Sequence, residues 1–146
     1  MKEFKGRVLA EGKYKGKAVV SHNGVNTLAT FQSSVLAGKK KVVCSDQNNP
    51  DLYGKNLTGV ALCLPQTIGS TTGGMVLQVV CSMKINPSCL LFSESIDSLA
   101  AAGVVLSKVW EDSNIIVIDR LGKQFLDTIK QDQEIEVKED GTVVLL

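Results

Sequence analysis

The segment from Val60 to Met83 constrains this fold more than any other stretch. An apolar, strand-like run, Val60 to Leu64, is followed by Pro65-Gln66-Thr67-Ile68-Gly69-Ser70-Thr71-Thr72-Gly73-Gly74 and then by the helix-like run Met75 to Met83. Small residues at a strand-to-helix junction let the backbone turn sharply and approach a ligand closely. They also leave the first N–H groups of the helix free to meet an anion. Ser70 stands where negative charge is stabilised. It can bind a carboxylate or phosphate, or lose its own proton and act as a base. The junction lacks the Lys and the spacing of the phosphate-binding loop, and it is not a nucleophile elbow. An ordinary turn with a Ser/Thr helix cap accounts for the same residues.

The rest of the chain has the alternation that such a junction requires. Phe4 to Ala10 and Lys17 to Ser21 read as strands separated by a Gly-punctuated turn. The stretch from His22 to Thr27 is polar and irregular, Leu28 to Leu36 reads as a short helix, and Lys41 to Cys44 as a strand. A long loop, Ser45 to Asn56, carries Asn, Asp, Pro and Gly turn chemistry, and loops of that length are often functional. From Gly59 the pattern predicts a strand (Val60 to Leu64), a helix (Thr71 to Met83) and a strand (Ser88 to Phe92). A short helix (Ile96 to Ala102) and a strand (Val104 to Leu106) follow. Then come a strand (Ile115 to Ile118), a helix (Leu121 to Lys130) and a C-terminal hairpin through Glu139-Asp140-Gly141. Such alternation implies parallel strands joined by right-handed crossovers. The expectation is a mixed α/β fold, with a parallel core flanked by an antiparallel part built from both termini, as a single domain over 1–146.

Bulk properties exclude several function classes. The chain has 146 residues, 44% hydrophobic and 21% charged, with a net charge of +1. That composition builds a core and argues against disorder. No basic stripe interleaved with aromatics is present, which argues against nucleic acid as the main partner. The first residues contain no apolar run, so no signal peptide is expected, and no stretch is long enough to span a bilayer. A cytoplasmic location without membrane contact is the default. The four cysteines, Cys44, Cys63, Cys81 and Cys89, follow no zinc or redox spacing. They read as small buried hydrophobes in a reducing compartment, and no metal ligand set is expected in this chain.

Taken in order, several features resemble one family. They are Asp46 to Gly54 with its Asn49-Pro50, Leu57-Thr58-Gly59 with Leu64-Pro65, the Gly69-Ser70-Thr71 turn, Asn86-Pro87 before a strand, and Ser95 to Gly103 leading into Val104-Val105. The chain is similar to the swivelling domain of the aconitase superfamily, and in particular to the small subunit of aconitase X. The resemblance implies a three-layer β/β/α swivelling domain. It also implies a larger partner subunit that carries an iron–sulfur cluster and most of the substrate pocket, with none bound by this chain alone. The small subunit closes over that pocket and contributes the serine of the Gly-Ser turn, here Ser70.

Members of the family dehydrate hydroxy acids: cis-3-hydroxy-L-proline in bacterial enzymes, mevalonate 5-phosphate in archaeal ones. The archaeal pattern has Pro-Leu-Ser-Phe and paired glycines after the second strand. Here that region reads Val25-Asn26-Thr27-Leu28-Ala29-Thr30-Phe31-Gln32, a departure that points away from phosphomevalonate. Together with Cys44-Ser45-Asp46-Gln47-Asn48-Asn49, it looks like the two-subunit hydroxyproline dehydratases.

The chemistry implied by that resemblance suits Ser70. Dehydrating a β-hydroxy acid removes a proton beside the carboxylate and hydroxide from the next carbon. The carbon acid is weak, so the base must be strong and dry. A serine alkoxide meets that need where free backbone N–H groups and a helix dipole stabilise it. Gly69, Thr71 and Thr72 would help bind substrate. Asn26, Thr27 and Gln32 are uncharged groups suited to a carboxylate or ring nitrogen, and local turn hydrogen bonding explains them equally well. His22, Asp46 and Asp51 have open roles: His22 structural or a substrate contact, the aspartates loop caps or pairs for basic groups of the larger subunit. Two rival readings use the same residues. One is a non-catalytic anion-binding module at Ser70 to Gly74, the other a carrier domain phosphorylated on His22.

Overall fold

The computed structural model describes residues 2–68, 73–110 and 112–146. The chain forms β1 (Lys2–Lys5), β2 (Arg7–Ala10), β3 (Tyr14–Val20), β4 (Val25–Asn26), α1 (Thr27–Leu36), β5 (Ala61–Leu64), β6 (Thr67–Ile68) and α2 (Gly73–Ser82). It continues with β7 (Cys89–Phe92), α3 (Ser98–Trp110), β8 (Ile116–Asp119), α4 (Lys123–Thr128), β9 (Glu134–Val137) and β10 (Thr142–Leu145).

Three short strands set the architecture. Ala-Leu-Cys-Leu in β5, Cys-Leu-Leu-Phe in β7 and Ile-Val-Ile-Asp in β8 are buried at every position. Strands with no polar face need cover on both sides, the condition met by parallel sheets. β5 pairs in parallel with β7, β7 with β8, and the second half of β3 with β5. Successive side chains divide between two cores, because the strand period is two. Leu62, Leu64, Leu90, Phe92 and Val117 join the helical side with Phe31, Leu77, Val80, Ala100 and Val104. Ala61, Cys63, Cys89, Leu91, Ile116 and Ile118 pack with Ile135, Val137, Val143 and Leu145 of the terminal hairpin and with Phe125 of α4. The result is three layers, β/β/α, as expected.

The strand order is β1-β10-β9-β3-β5-β7-β8-β2. Two links tie the layers together. The first half of β3, Tyr14 to Lys17, is antiparallel to β9, whereas Ala18 to Val20 run parallel to β5. β1 and β2 stand at opposite ends of the order, against β10 and β8, yet only Gly6 separates them in the chain. Gly6 donates to the carbonyl of Gly141 at 3.1 Å. A Cβ there would overlap the carbonyl oxygen of Asp119 and lie 2.7 Å from Ile118 Cγ2, so the seam requires glycine.

Four sequence expectations are corrected. The single strand from Phe4 to Ala10 is two strands broken at Gly6. Lys41 to Cys44 forms only an isolated bridge, Val43 to Asn56. Its amides are taken instead by Thr58 Oγ1, Ser34 Oγ and Lys55 O. The helix at Ile96 to Ala102 and the strand at Val104 to Leu106 are one helix, α3. Its buried residues Ala100, Gly103, Val104 and Ser107 follow the helical period, and β7 pairs directly with β8, leaving no slot for a strand. The stretch expected to be irregular contains β4 and ends where Thr27 opens α1.

Candidate functional site

The carboxyl ends of β3, β5, β7 and β8 share one edge of the sheet, where ligands of open α/β folds bind. Four connections lie there, after Val20, Leu64, Phe92 and Asp119. The first two are zipped together. β4 runs parallel to β6, with Val25 opposite Thr67 and Asn26 opposite Ile68, and the Val25 amide donates to Gln66 O at 2.9 Å. Asn26 is therefore beside the residue that precedes Gly69. Gly69, Ser70, Thr71 and Thr72 themselves lie outside the described residues.

Asn26 caps α1: its Oδ1 accepts from the Ala29 amide at 3.0 Å. Its Nδ2 has no acceptor among the described residues. Thr27, the next residue, is buried, with 3% exposure. Gln32 lies further along α1, exposed in an apolar groove with Leu28, Val35, Met75 and Val79. Of these three candidates, Asn26 stands beside the strand that leads into the Gly-Ser turn, and Gln32 is roughly 9 Å further along the helix axis.

The loop from 46 to 54 docks on the same edge. Asn49 Nδ2 donates to Ser21 Oγ at 3.0 Å, and Ser21 Oγ donates to Asn23 O at 2.7 Å. Asp51 Oδ2 accepts from the His22 amide at 2.8 Å and lies 3.4 Å from His22 Nδ1. Asp46 Oδ1 accepts from the Asn48 amide at 2.9 Å, so it caps its own loop. The stretches at 22–26, 46–54 and 66–68 thus form one continuous surface.

The last two connections extend it. Ser93 donates its amide to Leu64 O at 3.0 Å and Glu94 to Pro65 O at 3.2 Å. Thr67 Oγ1 donates to Asp97 Oδ1, while Asp97 Oδ2 accepts from the Ala100 amide at 2.9 Å and caps α3. Asp119 is fully buried. It accepts from Arg7 Nε at 2.9 Å, Arg7 Nη2 at 2.7 Å and the Ile96 amide at 2.8 Å. Arg120 follows, exposed, with φ +59° and Nε donating to Ser95 Oγ at 3.0 Å. Sequence reasoning passed over Asp97, Asp119 and Arg120. One signal was available: Arg7 and Arg120 are the only arginines among sixteen Lys and Arg residues.

The cysteines are poor metal ligands. All four are free and buried. Burial pushes the thiols of Cys63 and Cys89 well up from their ordinary range, against the thiolate a metal requires. Burial also raises Cys44, partly offset by the nearby backbone amide of Asp46. Among the described residues no three His, Cys, Asp or Glu side chains are grouped to hold a metal ion. An iron–sulfur cluster therefore does not fit the described residues of this chain. No helix among the described residues is long and apolar enough to cross a membrane.

Comparison with known proteins gives a consistent picture. Residues 3–146 match the family described as the aconitase X swivel domain. A curated relative, the phosphomevalonate dehydratase small subunit of Methanocella arvoryzae, is 27% identical over 144 residues, covering 99% of this chain and 97% of its own. The crystal structure of Thermococcus kodakaraensis aconitase X in its holo form superposes with a TM-score of 0.82 at 20% identity, over 100% of this chain and 99% of that one. The solution structure of a UPF0107 protein gives a TM-score of 0.77 at 19% identity, over 99% of both chains.

Proposed function

We propose that this chain, which belongs to the aconitase X swivel-domain family, works in the cytoplasm as the small subunit of a two-subunit hydro-lyase. Its partner is the large aconitase X subunit and its substrate a small hydroxy acid, cis-3-hydroxy-L-proline. The observation that carries this reading is the β4–β6 pairing. It fixes the capped start of α1 against the strand that leads into Gly69-Ser70-Thr71, on the exposed edge of the sheet where a second subunit can close.

An iron–sulfur cluster held by the large subunit would supply the Lewis acid for the departing hydroxyl. This chain supplies the base: Ser70 takes the proton beside the carboxylate. Backbone N–H groups of the turn, with Gly69, Thr71 and Thr72, stabilise the oxygen anion that does so. Asn26 offers its side-chain amide to the substrate, and closure of the partner over this edge excludes water. Thr27 and Gln32 support the pocket from α1.

A second reading, mevalonate 5-phosphate as substrate, is favoured by the name of the Methanocella relative. Charge at the edge supports the first. A phosphate ester calls for several cations, whereas here His22 is engaged by Asp51, and the connection that sets Ser95 against Arg120 also carries Glu94 and Asp97.

Co-expression with the large subunit and assay on both acids tests the proposal. The complex is expected to dehydrate cis-3-hydroxy-L-proline with at least about tenfold higher kcat/KM than mevalonate 5-phosphate, and the isolated chain neither. Ser70→Ala should lower kcat by about 100-fold or more with assembly intact, and Thr71→Ala or Thr72→Ala by less. Reversed preference assigns the second substrate. Normal turnover and α-proton exchange in Ser70→Ala place the base elsewhere.

A further inference from the structure

We propose that Arg120 binds the carboxylate of the hydroxy-acid substrate, held in position by Ser95. The inference rests on the hydro-lyase reading above and names a residue for substrate recognition.

Arginine is scarce in this chain. Of its two arginines, Arg7 is spent on buried Asp119. Arg120 sits just past the carboxyl end of β8, on the edge where β5 and β7 also end. A guanidinium has five N–H donors in a planar fork that matches a carboxylate, which the ammonium of lysine does not. Among the described residues only Ser95 takes one of them, and no carboxylate pairs with Arg120. Asp97, two residues beyond Ser95, is occupied by Thr67 and by the Ala100 amide.

The residue is also pre-oriented. Its left-handed backbone is uncommon outside glycine and asparagine. Neighbouring amides hold it there: Arg120 N donates to Glu94 O at 3.0 Å, Leu121 N to Phe92 O at 3.0 Å and Gly122 N to Ser93 O at 2.9 Å. The bond from Nε to Ser95 Oγ at 3.0 Å draws the side chain across the end of β7. β7 lies between β8 and β5, so the bond to Ser95 holds the guanidinium on the β5 side of β8. Two strand spacings, about 10 Å, separate β8 from β5. An arginine so held and a small hydroxy acid together bridge that gap.

The test uses the reconstituted two-subunit complex. Arg120→Gln and Arg120→Lys should each raise KM about tenfold or more, with kcat changed less than about threefold. Ser95→Ala should raise KM by a smaller factor, because the fork remains but is no longer aimed. The wild-type complex should prefer the acid to its carboxamide, and Arg120→Gln should lose that preference. An unchanged KM, or a preference for the acid that survives in Arg120→Gln, overturns the proposal. Loss of subunit assembly in Arg120→Gln also overturns it, in favour of an ion pair between subunits. Failure of the wild-type complex on both hydroxy acids counts against the hydro-lyase reading instead. Arg120 is then judged by calorimetric titration with L-proline: binding lost in Arg120→Gln supports the assignment, and equal binding or none in both proteins overturns it.

Discussion

Replacing Asn26 separates two roles that the structure superimposes on one side chain. Its Oδ1 caps α1 through the Ala29 amide at 3.0 Å, and its Nδ2 is unengaged among the described residues. Asn26→Ala removes the cap, at a cost of about 1 kcal/mol. For a domain of this size that lowers Tm by about 2–4 °C. The β4–β6 ladder survives, because it is made by main-chain groups such as Val25 N and Gln66 O. Asn26→Asp keeps an acceptor at the same place and adds negative charge at the positive end of the helix dipole, a favourable contribution of about 0.3–1 kcal/mol. Its Tm should equal or exceed that of the parent. In the reconstituted complex the same variant loses the amide donor and faces an anionic substrate with a carboxylate. One lost hydrogen bond is about 1 kcal/mol net, and repulsion adds to it, so KM should rise about tenfold. Asn26→Ser keeps a cap without the charge and should show a smaller rise in KM. Thermal unfolding by circular dichroism and initial-rate kinetics on the three variants read both effects. If Asn26→Asp loses as much Tm as Asn26→Ala, the capping argument is refuted. If Asn26→Asp and Asn26→Ser both keep the parental KM, Asn26 is a cap and nothing more.

Gly6→Ala should destabilise by about 2 kcal/mol or more, a fall in Tm of about 4–8 °C, because the added methyl meets the backbone of β8. Gly54→Ala serves as the control: φ is +80° but nothing lies within 4 Å, so it should cost only the left-handed strain, about 1–2 kcal/mol. Equal or greater loss in the control would refute the steric account of the seam. Burial holds the Cys63 and Cys89 thiols neutral in the folded chain, while the unfolded thiols ionise near about pH 8.5. The folded state therefore holds those protons more tightly. Their contribution is complete below that pH and is lost above it, by about 1.4 kcal/mol per pH unit for each thiol. Denaturant titrations between about pH 8.5 and 10.5 should show this decline, flattened in a Cys63→Ala/Cys89→Ala double variant. An unchanged slope in that variant assigns the decline to other groups.

The sequence by itself determined the elements whose signal is local. β5, β7 and β8 were readable because four-residue apolar runs bounded by Pro, Gly and polar residues have few alternatives. The C-terminal hairpin followed from its turn, and the buried cysteines from their apolar neighbours. Order along the chain, with the Gly-Ser turn between strand and helix, was enough to reach the aconitase X swivel-domain family.

What only the tertiary structure decided depends on partners distant in sequence. Val104-Val105-Leu106 satisfies a strand or a helix locally, and the direct pairing of β7 with β8 makes it helix. β4 and β6 are two residues each, too short to register as strands until they meet. Gly6 is an ordinary glycine in sequence. It becomes a seam only when β1 pairs with β10 and β2 with β8 on either side of it in the chain. Arg7 and Asp119 lie 112 positions apart. Arg120 acquires its setting only because Ser95 and the amides of residues 120–122 converge at the end of β7. The hydrophobic period is written into neighbouring residues, whereas a close backbone approach or a paired charge exists only after folding joins the segments that supply it.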